Sequence, residues 1–384
     1  MPELHWWSQT YRWIAWSKPL KYGLVPPVVM EFPGITVGGG YAGTSGEGSL
    51  FKHGFFNRTI NYVHVILANG DLVKASEEER PDLFKGAAGA VGSLGIVTLV
   101  ELKLIEATKY VETTYHPIAS VPEAAQKLGH LATSPDLDCL DGILFSLHRG
   151  LVITGRMTND SDPNFPVRSF SKASDPWFYL RGEEIASQAK DSGPTTELIP
   201  LEEYLFRYDR GGFWVGYSAF KYFYTPFNWI TRCGFSTSYV VQDLALPYST
   251  VDSLIEYTQA SFNIFPLWLC PSRQDCLETF HRHYPDREDD GTLKPMLNVG
   301  LWGFGPSNRE SFIKLTQDLE VKLQELGGMK WLYANTYYPE IDFWNIYDLS
   351  GLWGVYSARA SGQKLLAQRS TLKSIESKDC EYID

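Results

Sequence analysis

The sequence predicts an α+β fold with a mainly antiparallel sheet, and three observations carry that expectation. Residues 62–67 and 72–74 are β-branched and aromatic runs joined through Asn69-Gly70, a strong short-range hairpin signal. Further on, a strand-helix-strand pattern recurs, first over 239–246, 249–262 and 264–269, then over 296–304, 307–326 and 329–333. Two glycine-rich stretches, 38–48 and 86–95, flank the early hairpin.

The first glycine stretch follows a short run, Ile35-Thr36-Val37, that reads as a strand emptying into a loop. Glycine there lets the backbone approach a ligand and expose successive N–H groups, which suits a phosphate or a flat heterocycle. Gly38, Gly40 and Gly43 satisfy G-x-G-x-x-G, but the nicotinamide fingerprint also needs a helix at the loop and an acid about 20 residues on. Residues 45–53 lack helical period and 55–65 contain no carboxylate, so that reading fails. No Gly-Lys-Ser/Thr ending makes a P-loop either. Beyond the hairpin, Asp82 can cap a short helix, and the second glycine stretch leads into a buried-strand run at 96–100.

Thr36-Val37-Gly38-Gly39, Ala68-Asn69-Gly70-Asp71, Pro81-Asp82-Leu83-Phe84 and Gly92-Ser93-Leu94-Gly95-Ile96-Val97-Thr98 together resemble the second half of the flavin domain of vanillyl-alcohol-oxidase (PCMH-type) flavoproteins. Later motifs are similar to the Δ24-sterol reductase (Diminuto/seladin) family: Leu198-Ile199-Pro200-Leu201, Tyr239-Val240-Val241-Gln242-Asp243, Phe265-Pro266-Leu267-Trp268-Leu269-Cys270-Pro271 and Leu332-Tyr333-Ala334-Asn335. The resemblance runs from about Leu20 to about Tyr347 and implies a partial FAD-binding domain over 20–108, then an α+β cap domain over 109–356. It leaves 1–19 unassigned and 357–384 as a weakly ordered tail, and it starts late, as though the N-terminal part of the flavin domain were missing. Aromatic-rich residues 1–16 match no element of the family and are attributed to a misplaced start codon rather than a packed helix. By the same resemblance, Thr36, Val37, Gly38, Gly39, Gly43, Thr44, Ser45, Gly46, Gly95, Ile96 and Val97 bind FAD, NADPH is the electron donor, and the substrate is sterol-like.

Composition bounds the partners. A formal net charge of -11 and the lack of a Lys/Arg run exclude a nucleic-acid binder. The cysteines, Cys139, Cys233, Cys270, Cys276 and Cys380, lack C-x-x-C spacing, which points to reduced thiols and no zinc. No stretch is apolar enough to span a bilayer, so the expectation is a cytoplasmic chain or one peripheral at the endoplasmic reticulum membrane.

Past a boundary near Lys109, Ser120 caps a helix to about Leu131, and a hairpin runs over 139–147 and 151–158 about Arg149-Gly150. Residues 159–200 read as an irregular loop. Residues 213–235 are densely aromatic, with Pro226 forbidding one straight helix; a lid, an interfacial membrane segment and ordinary core all suit them. Ser307 with Glu310 makes a capping box, Gly327 a stop, and 341–347 a last helix.

No nucleophile-base arrangement stands out, and His281 and His283 sit in a charged loop that reads as solvated surface. That silence fits a flavoenzyme, where the cofactor carries the hydride chemistry and the protein adds orientation and a proton. Tyr333, Asn335 and Tyr337 occupy alternate positions of an expected strand, hence one face, with Asp243 on another strand. Tyr333 is the first candidate acid, Tyr337 the second and Asp243 the third. Competing functions are an FAD-linked oxidase or dehydrogenase of another hydrophobic metabolite, and a non-catalytic remnant.

Overall fold

The computed structural model describes residues 4–7, 19–30, 35–172, 175–188, 193–208, 239–274, 287–289 and 291–347. The aromatic run 213–235, His281, His283 and the 357–384 tail lie outside them.

The first part of the chain holds β1 (Leu4–Trp7), β2 (Leu24–Val25), α1 (Val37–Ala42), α2 (Leu50–His53), β3 (Ile60–Ile66), β4 (Leu72–Ser76), α3 (Pro81–Ala87), β5 (Ile96–Leu102) and β6 (Ile105–Glu106). Strands pair antiparallel in the order β1-β5-β3-β4, with β2 and β6 as a separate pair. The Asn69-Gly70 turn forms as expected: Gly70 takes φ 89, and Asp71 N–H donates to Asn69 Oδ1 at 3.1 Å.

Several expectations for this part are corrected. The unassigned 1–16 segment supplies an edge strand, Leu4 to Trp7 pairing with Leu102 to Leu99. The run into the glycines is no strand; Thr36 becomes an N-cap and Gly38-Gly39-Gly40 is helical. Helix α3 starts from Arg80 in a left-handed conformation, leaving Asp82 in the first turn rather than at the cap. Strand β5 is buried only from Val100 on, and Ile96 is 63% exposed, because its first half extends past the cover of α1 and α3.

The chain then crosses into β7 (Tyr110–Ile118), α4 (Val121–Leu131), β8 (Cys139–Ser146), β9 (Arg149–Thr158), α5 (Phe178–Gln188), β10 (Thr195–Pro200), α6 (Leu201–Leu205), β11 (Tyr239–Pro247), α7 (Val251–Ser261), β12 (Leu267–Ser272), β13 (Met296–Phe304), α8 (Arg309–Glu325), β14 (Met329–Lys330) and α9 (Glu340–Ile346). Its sheet has eight strands in the order β10-β7-β9-β8-β12-β13-β11-β14, antiparallel throughout. Ser120 caps α4, accepting from Glu123 N–H at 3.3 Å, and Gly327, at φ 72, follows α8.

Four corrections apply here. The hairpin turns at Leu147-His148, because Arg149 and Gly150 already pair with Ser146 and Leu144. Residues 159–200 are not all irregular: α5 packs on the sheet through Phe178 and Ile185, and β10 finds β7 as a partner that local pattern does not reveal. Asn308, not Ser307, caps α8, accepting from Ser311 N–H at 2.9 Å. The last strand stops at Lys330, so 331–339 carry no ladder.

Both faces of the large sheet are covered. Leu140, Leu144, Leu244, Leu246, Leu269 and Val299 face α4, α7 and α8. Their neighbours in sequence point the other way, as a pleated strand requires, toward α5, α6 and the glycine segment. Cys139 and Cys270 are buried free thiols on that second face.

Gly95 shows how tightly the small sheet closes. It takes φ 149, and a Cβ there would sit 2.6 Å from Val65 Cγ1 and 2.7 Å from Ile66 O. Gly95→Ala is expected to cost roughly 1–3 kcal/mol, read as a lowered denaturation midpoint at unchanged m-value.

Candidate active site

The glycine segment is built from its own packing. Thr36, extended at φ -80, caps α1 by accepting from Gly39 N–H at 3.0 Å. Gly40 packs closely, a Cβ there lying 2.7 Å from Met30 Cε, the movable end of its side chain, and 3.2 Å from the Phe56 ring. The Gly43 N–H closes the helix on Gly39 O at 2.9 Å, and Thr44 turns the chain at φ 48. Residues 89–91 of the second glycine stretch lie against this turn, Val91 N–H donating to Ala42 O at 2.9 Å.

Carbonyls of this segment are held by the large sheet. Trp331 donates its indole N–H to Thr44 O at 3.0 Å, Cys270 its thiol to Glu47 O at 3.0 Å, and Leu140 its amide to Gly48 O at 2.7 Å. Gly43 thereby comes beneath Tyr333, with 3.8 Å between the position of a Cβ on Gly43 and Tyr333 Cδ1.

Tyr333 O–H donates to Asp243 Oδ2 at 2.6 Å. Asp243 is buried on β11, and Asn298 Nδ2 on β13 donates to its other oxygen at 3.0 Å. Burial pushes the Asp243 carboxyl above its usual range, while Tyr333, Asn298 and the Trp302 indole hold it back by hydrogen bonding. Register puts Val241 and Trp302 opposite each other beyond Asp243, then Tyr239 and Phe304, whose rings meet edge to face at 5.2 Å. An apolar aromatic track therefore leads from the carboxyl along the sheet, ending at a largely exposed Phe304.

Of the residues expected at a flavin, Thr36, Val37, Gly38, Gly39, Gly43, Thr44, Ser45 and Gly46 form one continuous piece that reaches Tyr333. Gly95 packs on Val65 and Ile66 instead, with Ile96 exposed and Val97 packed against the small-sheet core. Tyr333 and Tyr337 do not share a face, which corrects the expected strand. Tyr333 joins Asp243, while Tyr337 packs into the core between the sheet and α8. Asn335 contributes its carbonyl, accepting from Gln242 Nε2 at 3.0 Å. Sequence reasoning missed Asn298, Trp302 and Trp331; only the antiparallel register of β11 with β13, which no local pattern states, puts Asn298 beside Asp243. Among the described residues there is no group of His, Cys, Asp or Glu that could hold a metal ion, and no helix long and apolar enough to cross a membrane.

No family model matches the chain. Among curated proteins it is 26% identical over 346 residues to the Delta(24)-sterol reductase of Rattus norvegicus, the match covering 85% of this chain and 65% of that protein. The Delta(24)-sterol reductase of Pisum sativum is 26% identical over 372 residues, with the same two coverages. Over most of its length the chain is thus similar to Delta(24)-sterol reductases. It spans about 65% of the length of these relatives. A shorter match, 29% identical over 159 residues and 41% of the chain, is to Cytokinin dehydrogenase 9 of Oryza sativa subsp. japonica, covering 30% of that protein.

A second buried acid lies where the glycine segment meets the large sheet. Glu47, bonded to the Ser49 hydroxyl, is pushed up to about 7, because burial outweighs the Ser49 hydrogen bond and the Arg207 charge. Its unfolded value is the ordinary 4.5. The folded chain keeps this proton while the unfolded chain loses it, so stability is fully present below about pH 4.5 and falls as pH rises toward about 7. Glu47→Gln is expected to flatten that decline in denaturation midpoints across the same pH window.

Proposed function

We propose that the chain is an FAD-dependent oxidoreductase that reduces a carbon-carbon double bond of a sterol-like apolar substrate, with NADPH as electron donor. The observation that carries the reading is the Tyr333–Asp243 pair, 2.6 Å apart, set over Gly43 of the glycine segment. Residues 20–108 are read as the second half of a PCMH-type flavin domain and 109–356 as its cap. Contact with a membrane through 213–235 belongs to the same proposal.

The residues present suit a planar ring. Gly39 is exposed and so open to a flat ring, the Tyr333 ring itself lies in van der Waals reach of the Gly43 backbone, and the Ser45 hydroxyl is 3.9 Å from where a Gly43 Cβ would be. Thr36 to Gly46 would hold the flavin. FAD, when bound, supplies a hydride to one alkene carbon. An unactivated alkene has no carbonyl to polarise, so positive charge builds at its more substituted carbon and a positioned acid is needed rather than an oxyanion hole.

Tyr333 is that acid, and Asp243 backs it. Here the Tyr333 hydroxyl points at the carboxyl, so it can release its proton to substrate only when Asp243 is protonated and donates to the phenolic oxygen in turn. Burial favours that form of Asp243. Val241, Trp302 and Phe304 offer the apolar body of the substrate a wall. The match to a cytokinin dehydrogenase favours one second reading, dehydrogenation of another hydrophobic metabolite. Anaerobic mixing with NADPH separates the two, since only the reductase bleaches its flavin.

Tyr333→Phe is expected to leave flavin reduction by NADPH unchanged and to lower turnover of a Δ24 sterol roughly 100-fold; full turnover would remove Tyr333 from the role. In the intact enzyme, alkene reduction should fall as pH rises through the raised Asp243 value, the protonated form being the active one. Gly39→Asp, which puts a negative charge on an exposed turn, should abolish FAD retention through dialysis, and unchanged retention would take this segment out of the flavin site.

A further inference from the structure

Tyr333 sits in a segment without a strand or helix to hold it, and the groups that do hold it lie on the far face of the sheet. After β14 the chain passes round the sheet edge: Trp331 and Tyr333 lie on the glycine-segment face, whereas Tyr337 packs against the α8 face. Backbone polar groups in such a crossover must find partners one by one. Asn335 O accepts from Lys330 Nζ at 2.5 Å and from Gln242 Nε2 at 3.0 Å. Tyr337 N–H donates to both Glu320 oxygens, at 2.9 and 3.2 Å, and Tyr337 O accepts from Gln317 Nε2 at 3.4 Å. Gln317 and Glu320 are three apart on α8 and so share the face that clamps the Tyr337 peptide.

Lys330 and Glu320 complete the clamp. Their side chains are 0% and 3% exposed and meet at 2.8 Å. A buried ion pair is poor evidence of stability, because desolvation offsets most of its attraction. This one does something an apolar pair could not: each charge also bonds the crossover backbone, Lys330 at Asn335 and Glu320 at Tyr337. Consecutive residues of β11 tie the crossover from opposite faces, Asp243 at Tyr333 and Gln242 at Asn335.

We infer that the buried Lys330–Glu320 pair is the positioning element of the Tyr333–Asp243 site, acting through the 331–337 crossover and touching neither substrate nor cofactor. The inference rests on the proposed proton-donor role of Tyr333 for its kinetic consequence, and on geometry alone for its structural one. Lys330→Met keeps the stem and removes the donors; Lys330→Arg keeps charge and donors.

Two measurements test it. The first uses ¹³C-labelled tyrosine in the full chain, with the Tyr333 ring signal assigned by its loss in Tyr333→Phe. Lys330→Met should move that signal to where Asp243→Ala places it, and Lys330→Arg should restore it at least in part. An unmoved signal in a folded Lys330→Met chain overturns the inference whether or not the chain reduces sterols. The second is single-turnover oxidation of the reduced flavoenzyme by a Δ24 sterol. Lys330→Met should slow it at least 10-fold with NADPH reduction unchanged, yet add nothing further in a Tyr333→Phe background, since Lys330 acts only through Tyr333. Losses that multiply in the double variant would show a general structural effect and refute the proposal. Absence of sterol reduction in the unmodified enzyme, beside the expected shift in the ring signal, would refute the proposed function and leave the positioning role standing. Should Lys330→Met fail to fold, the double replacement Lys330→Met with Glu320→Met, which leaves no buried charge unpaired and removes both ties to the crossover backbone, gives the same readings.

Discussion

The Arg207–Asp141 ion pair is the buried charge that the large sheet sets against the glycine segment. Both side chains are essentially shut off from water, at 1% and 0% exposure, with Nη2 to Oδ2 at 2.7 Å. Removing either partner would strand a buried charge, a loss of about 3–5 kcal/mol. The surroundings are made for it: Tyr208 and Trp268 donate to the same Asp141 oxygen at 2.8 and 3.1 Å, and the guanidinium lies 4.1 Å from the Tyr204 ring centre. Gly48 of the glycine segment passes over this pair, a Cβ there lying 3.3 Å from Arg207 Nη2. Where Glu47 and Gly48 can sit is therefore decided by the large sheet, and with them the path of Gly43 to Ser45.

That dependence explains which parts of the protein were legible in its sequence. The Asn69-Gly70 hairpin, the Ser120 cap and α4, and the strand-helix-strand repeat each rest on interactions within a few residues, so local pattern reports them. The helical turn of the glycine run is not legible locally, because it packs against Met30 and Phe56 and is capped by Thr36 where the sequence pattern reads as a strand. Strand β10 and helix α5 do not show in the local pattern, because a polar, proline-flanked stretch becomes ordered only when β7 offers an edge and the sheet an apolar face. In the site, Asp243 and Tyr333 were visible as family motifs, while their mutual contact and the opposite placement of Tyr337 depended on the strand ending at Lys330.

Alternation along β11 organises the rest. Val240, Leu244 and Leu246 face the helices, and Asp243 and Ala245 face the glycine segment. A polar residue on the second face can be kept because that face is closed by a neighbouring segment rich in backbone groups rather than by an apolar helix. The same face holds Glu47 and the Arg207–Asp141 pair, so these buried polar groups gather along one seam, with the Lys330–Glu320 pair buried separately on the α8 side.

The partners within that seam differ in a way that bears on chemistry. Asp141 is given a guanidinium at 2.7 Å, with the Tyr208 hydroxyl and the Trp268 indole on the same oxygen. Asp243 is given a phenol, an amide and an indole, all neutral, which stabilise an anion less than a cation would and leave burial as the larger influence. Two aspartates on neighbouring parts of one sheet face thus have partners of different kind, a cation for one and neutral donors for the other. Arg207 is engaged with Asp141 and with the Tyr204 carbonyl at 3.0 Å, so it is kept from cancelling that difference. Of the two side chains that donate to Asp243 at 2.6 and 3.0 Å, the Tyr333 hydroxyl can ionise and the Asn298 amide cannot. The seam therefore holds that ionisable hydroxyl on the side of the sheet that meets the glycine segment.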